Sequence, residues 1–175
     1  YPEVTEILRR LVRERVNICD LKLIVEGISE FSALNGDIED RNEWLDELHG
    51  FLRVVLSRGI IQEAMRGDDS LRVFLLSSEI EEEFREAMKG WNSRRSRPPI
   101  DPEIEGRLCD NARRMFHPAI ERGNLPVVIL CSGDIRHAAQ EFFVRQLGAA
   151  EWLRALSYQE LGDGISPESV GVLRC

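Results

Sequence analysis

The chain has 175 residues, of which 43% are apolar and 31% are charged, and its formal net charge is −8. This balance is typical of a globular protein with one medium domain or two small ones, and it argues against long disordered regions. The excess of acid argues against a nucleic-acid binder, whose contact surface is usually basic. The sequence contains no run of about 18 apolar residues, so it predicts no membrane span.

The acidic residues are concentrated in one half of the chain. Residues 1–90 contain 12 Lys and Arg against 20 Asp and Glu, whereas residues 91–175 contain 11 of each. Such an asymmetry indicates two modules with different partners. The sequence opens on Tyr1-Pro2 without an initiator Met or a signal peptide, and we interpret it as a piece of a larger protein.

Three stripes of apolar residues with helical spacing follow one another in the first half, and each predicts an amphipathic helix. Asn17 is a candidate N-cap for the second helix, and Asn35-Gly36 should end it. The stripes are Ile7, Leu8, Leu11, Val12 and Val16; Leu21, Ile24, Val25, Ile28 and Phe31; and Leu45, Leu48, Leu52, Val55 and Leu56.

A strand is predicted at residues 71–76, followed by a helix that Ser77-Ser78 would cap. Residues 92–99 are polar, basic and end in Pro-Pro, which is typical of a linker, and we place a domain boundary there. The arginines of this segment, Arg94, Arg95 and Arg97, belong either to a solvated linker or to an anion-binding patch.

Helices and strands alternate in the second half. The pattern predicts a helix over 101–121, a buried strand over 126–131, a helix after the turn Ser132-Gly133-Asp134, a strand over 153–158 and a last strand near 170–173. The predicted fold class is α+β. A mostly helical subdomain (1–91) and the linker (92–99) precede a small α/β subdomain with a short sheet (100–175).

Motifs for catalysis, nucleotide binding or metal binding are absent from the sequence, so we predict no enzyme, no metal and no cofactor. The strongest candidate is the turn Ser132–Asp134, where backbone N–H groups at a helix start could bind an anion. The alternative is that Ser132 only caps the helix, and the carboxylate of Asp134 would repel a phosphate.

Cysteine and histidine offer little further chemistry. Cys19, Cys109, Cys131 and Cys175 form no Cys-x-x-Cys pair and are expected to be thiols of a reducing compartment. Cys131 and His137 could form a nucleophile–base pair, but burial would raise the pKa of the thiol, and His137 is expected to be exposed. His49 is expected at the surface, and His117 precedes Pro118, which should break or kink its helix.

An acidic stretch runs from Asp37 to Glu47 and lacks the spacing of an EF-hand. It predicts either a solvated face or a docking surface for a basic partner. The candidate partner-binding residues are Glu39, Asp40, Glu43, Asp46 and Glu47.

Two separated segments, 3–31 and 126–161, resemble the export-gate protein family of type III secretion systems (FlhA/SctV type, FHIPEP family). The first is similar to a family helix pattern, and the second to the pattern that closes the family's sequences. The main positions on these patterns are Asp20, Leu21, Glu26, Asp134, Arg136, Ser157 and Tyr158.

The resemblance implies a non-enzymatic piece of a larger membrane-anchored protein. Members of the family have an N-terminal membrane half and a cytosolic half of four subdomains, of which this chain would be the last two. The cytosolic halves form a nine-membered ring at the inner membrane, receive chaperone–substrate complexes and pass substrates to the export channel. The implied partners are other copies, secretion chaperones with their substrates and other export components, with no nucleic acid. The chain itself would be cytosolic, with a membrane contact only through the missing half.

Overall fold

The computed structural model describes residues 2–66, 68–89 and 98–175. Its contacts divide the chain into two compact units, Tyr1–Gly67 and Asp68–Cys175, which we describe separately. The arginines of the predicted linker, Arg94, Arg95 and Arg97, lie outside the described residues. In the described part of the chain, none of the helices is both long and apolar enough to traverse a bilayer.

The first unit consists of helices in the part that the structure describes. Three of them confirm the predicted helices: α1 (Pro2–Arg13), α2 (Leu21–Leu34) and α3 (Arg41–Val55). The assignment of whole stripes to buried faces was wrong for Val12, Leu21 and Val25, which are exposed. The fourth, α4 (Ser57–Met65), was not predicted, because it starts directly after Leu56 and its apolar residues continue the pattern of α3.

Aspartates begin two of these helices. The side chain of Asp20 accepts a hydrogen bond from the Leu23 N–H at 3.0 Å and caps α2, so the assignment of this cap to Asn17 was wrong. Asn17 instead accepts from the N–H of Cys19 in the preceding loop. Asp40 caps α3 by accepting from the N–H groups of Asn42 and Glu43. The break predicted at Asn35 is confirmed, since α2 ends at Leu34.

The core of the first unit forms where α2 and α3 pack together. Leu52 is fully buried, and a Cβ atom built on Gly27 would lie 2.8 Å from its Cδ2 atom. Glycine at position 27 therefore lets the two helices approach closely. The ring of Phe31 packs against Trp44 and Phe51, with ring centroids 5.8 and 5.5 Å away.

The second unit is a parallel sheet with helices packed on it. Four strands lie in the order β3-β2-β1-β4, and every pairing is parallel. Its elements are β1 (Arg72–Leu76), α5 (Ser78–Met88), α6 (Pro102–Glu121), β2 (Val127–Cys131), α7 (Arg136–Leu147), β3 (Leu153–Ser157), a 3₁₀ segment (Tyr158–Gly164) and β4 (Glu168–Leu173).

The structure divides the chain at a different point from the sequence analysis, which grouped residues 1–91. Strand β1 lies between β2 and β4, with Phe74 opposite Ile129 on one side and Gly171 on the other. It therefore belongs to the second unit, and so does α5, whose Phe84 ring packs on Phe142 of α7. Hydrophobic periodicity could not reveal this, because strand pairing joins residues far apart in sequence.

Aromatic rings fill the core of this unit around a fully buried central strand. All five residues of β2 are buried, as the apolar run predicts, and Phe84, Phe116, Phe142 and Phe143 lie against one another in tilted or edge-on contacts. The predicted break at His117-Pro118 does not occur: α6 continues through Pro118 to Glu121, and His117 is exposed.

We expect Leu52→Ala to lower the free energy of unfolding by about 2–5 kcal/mol, because the truncation leaves a cavity between α2 and α3. Val54→Ala on the exposed side of α3 is the control and should change stability by less than about 0.5 kcal/mol. Urea denaturation of both variants measures the difference. Equal effects would contradict the assignment of the α3 faces.

Candidate functional site

The carboxyl ends of the parallel strands bring three connecting turns to one edge of the sheet, where ligands of open α/β sheets usually bind. The turn after β2 contains Ser132, Gly133 and Asp134. Ser132 donates two hydrogen bonds to Glu81 of α5: its N–H to Oε1 at 3.0 Å and its hydroxyl to Oε2 at 2.7 Å. Both donors of Ser132 are thus engaged by a carboxylate of the same chain and not offered to an external anion.

A second contact ties α5 to this turn. Arg85 Nε donates to Asp134 Oδ2 at 2.7 Å, and its other nitrogens contact Glu81 and Glu82 at 3.2 Å. The pKa of the Arg85 guanidinium is raised. The hydrogen bond to Asp134 is the largest cause, and the hydrogen bond to Glu82 is the second. The turn is therefore built around carboxylates and one arginine, and this arrangement opposes the binding of phosphate.

Ser132 does not cap the helix that follows it, so that prediction was wrong. The residue at the N-cap of α7 is Ile135, and no side chain makes a capping hydrogen bond there. Ser132 hydrogen-bonds Glu81 instead, a partner 51 residues away in sequence. No local signal in the sequence could identify this pair.

The turn after β3 is closed by a capping box. The Glu160 side chain accepts from the Ser157 N–H at 2.6 Å, and the Ser157 side chain accepts from the N–H of Glu160. Tyr158 lies between them and is 48% exposed. The pKa of its phenol is raised, mainly by partial burial and to a smaller extent by the nearby carboxylate of Glu81.

The structure brings four of the family-pattern positions to this edge of the sheet. Asp134 pairs with Arg85, Ser157 forms the capping box, Arg136 is buried at the start of α7, and Tyr158 is at the surface. The other three positions are on or beside α2 in the first unit: Asp20 caps that helix, Leu21 is exposed, and Glu26 pairs with Lys22.

Cys131 does not have the properties of a nucleophile. Burial raises the pKa of its thiol to about 12, and its Sγ atom lies 3.8 Å from the carbonyl oxygen of Leu156. His137 is half-buried on α7 rather than exposed as predicted. Within residues 2–66, 68–89 and 98–175, no group of three or more His, Cys, Asp and Glu is placed to hold a metal ion.

Another feature that sequence reasoning missed is a groove of about 640 Å³ along α6, beside the end of the chain. Its side chains are mainly charged, and Arg107 and Arg113 pair with Glu103 and Asp110 of the same helix. Pockets for small ligands are usually lined by apolar side chains, which this groove lacks. The lining residues are Arg107, Asp110, Asn111, Arg113, Arg114 and Cys175.

His49 is buried, so the prediction that it lies at the surface was wrong. Its Nε2 atom is 3.6 Å from Glu14, and the same carboxylate oxygen accepts a hydrogen bond from Arg53 at 2.8 Å. Glu14 follows α1, and the other two residues are on α3, so a buried charged contact joins these segments. The position of His49 on its helix could not predict this burial, because the carboxylate that it contacts belongs to Glu14, which is far away in sequence.

The predicted acidic surface is exposed in all five residues: Glu39, Asp40, Glu43, Asp46 and Glu47. Two of them have structural roles, since Asp40 caps α3 and Asp46 pairs with Arg10 of α1. Of the remaining glutamates, Glu43 and Glu47 are exposed one turn apart on α3, and Glu39 is exposed just before the N-cap of that helix. We name these three residues the glutamate row.

Glu14→Ala should destabilise the first unit by about 3–5 kcal/mol, because it leaves Arg53 buried without its carboxylate. Asp46→Ala removes an exposed ion pair and is the control, with an expected loss below about 1 kcal/mol. Chemical denaturation monitored by circular dichroism compares them. A Glu14 variant no less stable than the Asp46 variant would show that the buried contact adds nothing.

Cys131 should resist alkylation in the folded protein. A thiol with a pKa near 12 has about a thousandfold less thiolate at pH 8 than one with the ordinary value near 9. Iodoacetamide at pH 8, with the labelled positions read by mass spectrometry, should modify the exposed Cys19 and Cys175 first. Labelling of Cys131 at a similar rate would mean that its surroundings open readily.

Comparison with known proteins agrees with the resemblance found in the sequence. The model of the FHIPEP family matches residues 1–166. Low calcium response locus protein D of Yersinia pestis is 29% identical over 96% of this chain. The chain spans only 22% of that relative's length.

Solved structures with the same fold include assemblies of several chains. The nonameric SctV-C of EPEC, solved by cryo-electron microscopy, has a TM-score of 0.77 and 27% identity, and covers 98% of this chain and 48% of that one. The CdsV and CdsO protein complex of Chlamydia pneumoniae gives a TM-score of 0.77 and 25% identity over 99% of this chain and 47% of that one. Since the family model covers nearly the whole sequence and these structures share its fold, the chain belongs to the FHIPEP family.

Proposed function

We propose that this chain is part of the cytosolic ring of a type III protein-export gate. There it docks chaperone–substrate complexes and helps to pass substrates to the inner-membrane export channel. The observation that carries the proposal is the shared fold with the nonameric SctV-C over 98% of the chain, combined with the family match over residues 1–166. Its place would be the cytosolic side of the inner membrane, anchored by other parts of a longer parent protein.

The chemistry of the described residues favours docking over catalysis. In the turn after β2, the strongest candidate for an anion or substrate site, both donors of Ser132 are occupied by Glu81. The buried thiol of Cys131 holds its proton at neutral pH because its pKa is near 12. A small anion-binding protein or enzyme is therefore the less supported alternative.

For docking, we propose the exposed row of glutamates on the first unit, Glu39, Glu43 and Glu47. Their side chains are exposed, and their neighbours Asp40 and Asp46 are held by a helix cap and an ion pair. Such a row attracts a basic partner and steers its approach, with an effect that weakens as salt increases. Secretion chaperones carrying their substrates, or another export component, would meet this row.

We expect Glu43→Lys/Glu47→Lys to weaken binding of a chaperone–substrate complex by about tenfold at low salt, because charge reversal repels a basic partner. The matched control, Glu30→Lys/Glu63→Lys, reverses the same number of exposed charges on α2 and α4 and should bind as the original chain does. Calorimetric titration at two salt concentrations measures the affinities.

The same substitutions in the full-length parent protein should reduce secretion from cells, while the control pair should not. Both pairs are exposed, so thermal unfolding should change little. Unchanged affinity and unchanged secretion with the Glu43/Glu47 pair would reject this surface as the docking site. Equal losses with both pairs would mean that net charge, rather than this row, controls binding.

A further inference from the structure

The sheet of the second unit has two edges, and side chains close the one at β3. Gln140 of α7 accepts a hydrogen bond from the Ala155 N–H at 2.6 Å and donates one to the Leu153 carbonyl at 3.5 Å. Glu160 accepts from the Ser157 N–H at 2.6 Å. These side chains occupy the backbone groups that face away from β2, so β3 is a poor template for a further strand.

Strand β4, at the other edge, is open along its outer side. The carbonyl of Leu173 accepts from the Ser77 N–H at 3.0 Å and thus faces inward, toward the chain that leaves β1. Because backbone groups alternate in direction along a strand, those of Val172 face outward. Among the residues that the structure describes, no strand pairs with this outer side, and the side chain of Val170 is 44% exposed. The outer side of β4 is therefore a template for strand addition.

The groove along α6 lies beside the end of this strand. Asn111, one of its lining residues, accepts a hydrogen bond at 3.2 Å from the N–H of Arg174, which follows β4. Arg107 and Arg114 lie one turn before and one turn after Asn111, so the three residues share one face of α6. Both arginines are exposed. A segment that lies along the outer side of β4 therefore comes close to both arginines.

Positive charge predominates in this groove. Its lining contains Arg107, Arg113 and Arg114, against one carboxylate side chain, that of Asp110. Arg113 pairs with Asp110 at 3.1 Å, and Arg107 pairs with Glu103 at 3.7 Å. Both pairs are exposed, and exposed ion pairs are weak, so an incoming carboxylate can replace the present partners. The groove therefore suits acidic groups.

We propose that the outer side of β4 binds an extended acidic segment of another protein. The segment adds to the four-stranded sheet as a further strand and directs its carboxylates to Arg107 and Arg114. Main-chain hydrogen bonds to Val172 hold the segment, and the arginines select its charge. Glu168, at the start of β4, repels carboxylates there, so the acidic residues belong at one end of the segment. The inference concerns the second unit and does not rest on the proposed export function.

The test measures binding of short fluorescent peptides to the whole chain by anisotropy. The acidic probes alternate valine with threonine and end in glutamates, at the amino end in one and at the carboxyl end in the other, which covers both directions of an added strand. At least one of them should bind, and its affinity should fall as salt increases.

Two matched probes are the controls for charge and for strand addition. In one, lysines replace the glutamates, and in the other, methyl groups on the backbone nitrogens remove the amide donors. Each should bind at least about tenfold more weakly, because the first meets arginines of like charge and the second cannot donate to a strand. The methylated probe tests strand addition on the unchanged protein, so the result does not depend on the folding of a variant.

Arg107→Gln/Arg114→Gln should weaken binding of the acidic probe by about tenfold, because two charged contacts are lost. The matched control, Arg122→Gln/Arg145→Gln, removes exposed arginines at the far end of α6 and on α7, and should bind as the original chain does. Hydrogen exchange followed by nuclear magnetic resonance should show slower exchange of the Val172 amide when the probe is bound.

Several results would overturn the proposal. Absence of binding by both acidic probes does so, and so does an unchanged affinity in the Arg107/Arg114 variant. Equal binding of the methylated probe would mean that the arginines bind acid without strand addition, and equal losses in both variant pairs would mean that net charge alone controls binding. Sedimentation velocity tests the remaining occupant: a chain that self-associates until the acidic probe disperses it would have β4 covered by a second copy, which also rejects the proposal.

Discussion

The second unit depends on the parallel pairing of β1 with strands that follow it at long distances in sequence. Residues 72–76 form the inner strand between β2 and β4, and both of these strands pair with it. This pairing draws α5 onto the sheet, since α5 follows β1 directly. It also places Glu81 and Arg85 beside the turn after β2, where they contact Ser132 and Asp134. The chemical character of that edge is therefore a consequence of strand order.

At this edge the protein uses its own carboxylates where many α/β proteins bind a ligand. Glu81 accepts from both donors of Ser132, and Glu160 closes the next turn with Ser157. These contacts satisfy polar groups at strand ends, which would otherwise need water or a ligand. They stabilise the fold and leave the site poorly suited to anions. A parallel sheet does not by itself imply catalysis, because the same fold can serve many unrelated functions.

The surface that we propose for docking lies on the first unit instead. Its glutamates, two on α3 and one before that helix, are polar and suit encounters that begin and end readily, since exposed charges act mainly on the rate and selectivity of association.

The sequence by itself determined the local elements and the family. The apolar stripes located α1, α2 and α3, the buried run located β2, and two separated segments identified the family whose model matches residues 1–166. These signals are visible because helix and strand periodicity, capping and motif spacing depend on residues close together in the chain.

Tertiary structure alone decided which unit contains β1, why His49 is buried and what Ser132 contacts. Each of these depends on a partner far along the chain: β2 and β4 for β1, Glu14 for His49, and Glu81 for Ser132. The partner of a strand, a buried charge or a turn is selected by the packing of the whole unit, which no local pattern records. For the same reason, only the structure separated the glutamates free to meet a partner from Asp40 and Asp46, which cap and pair within the fold.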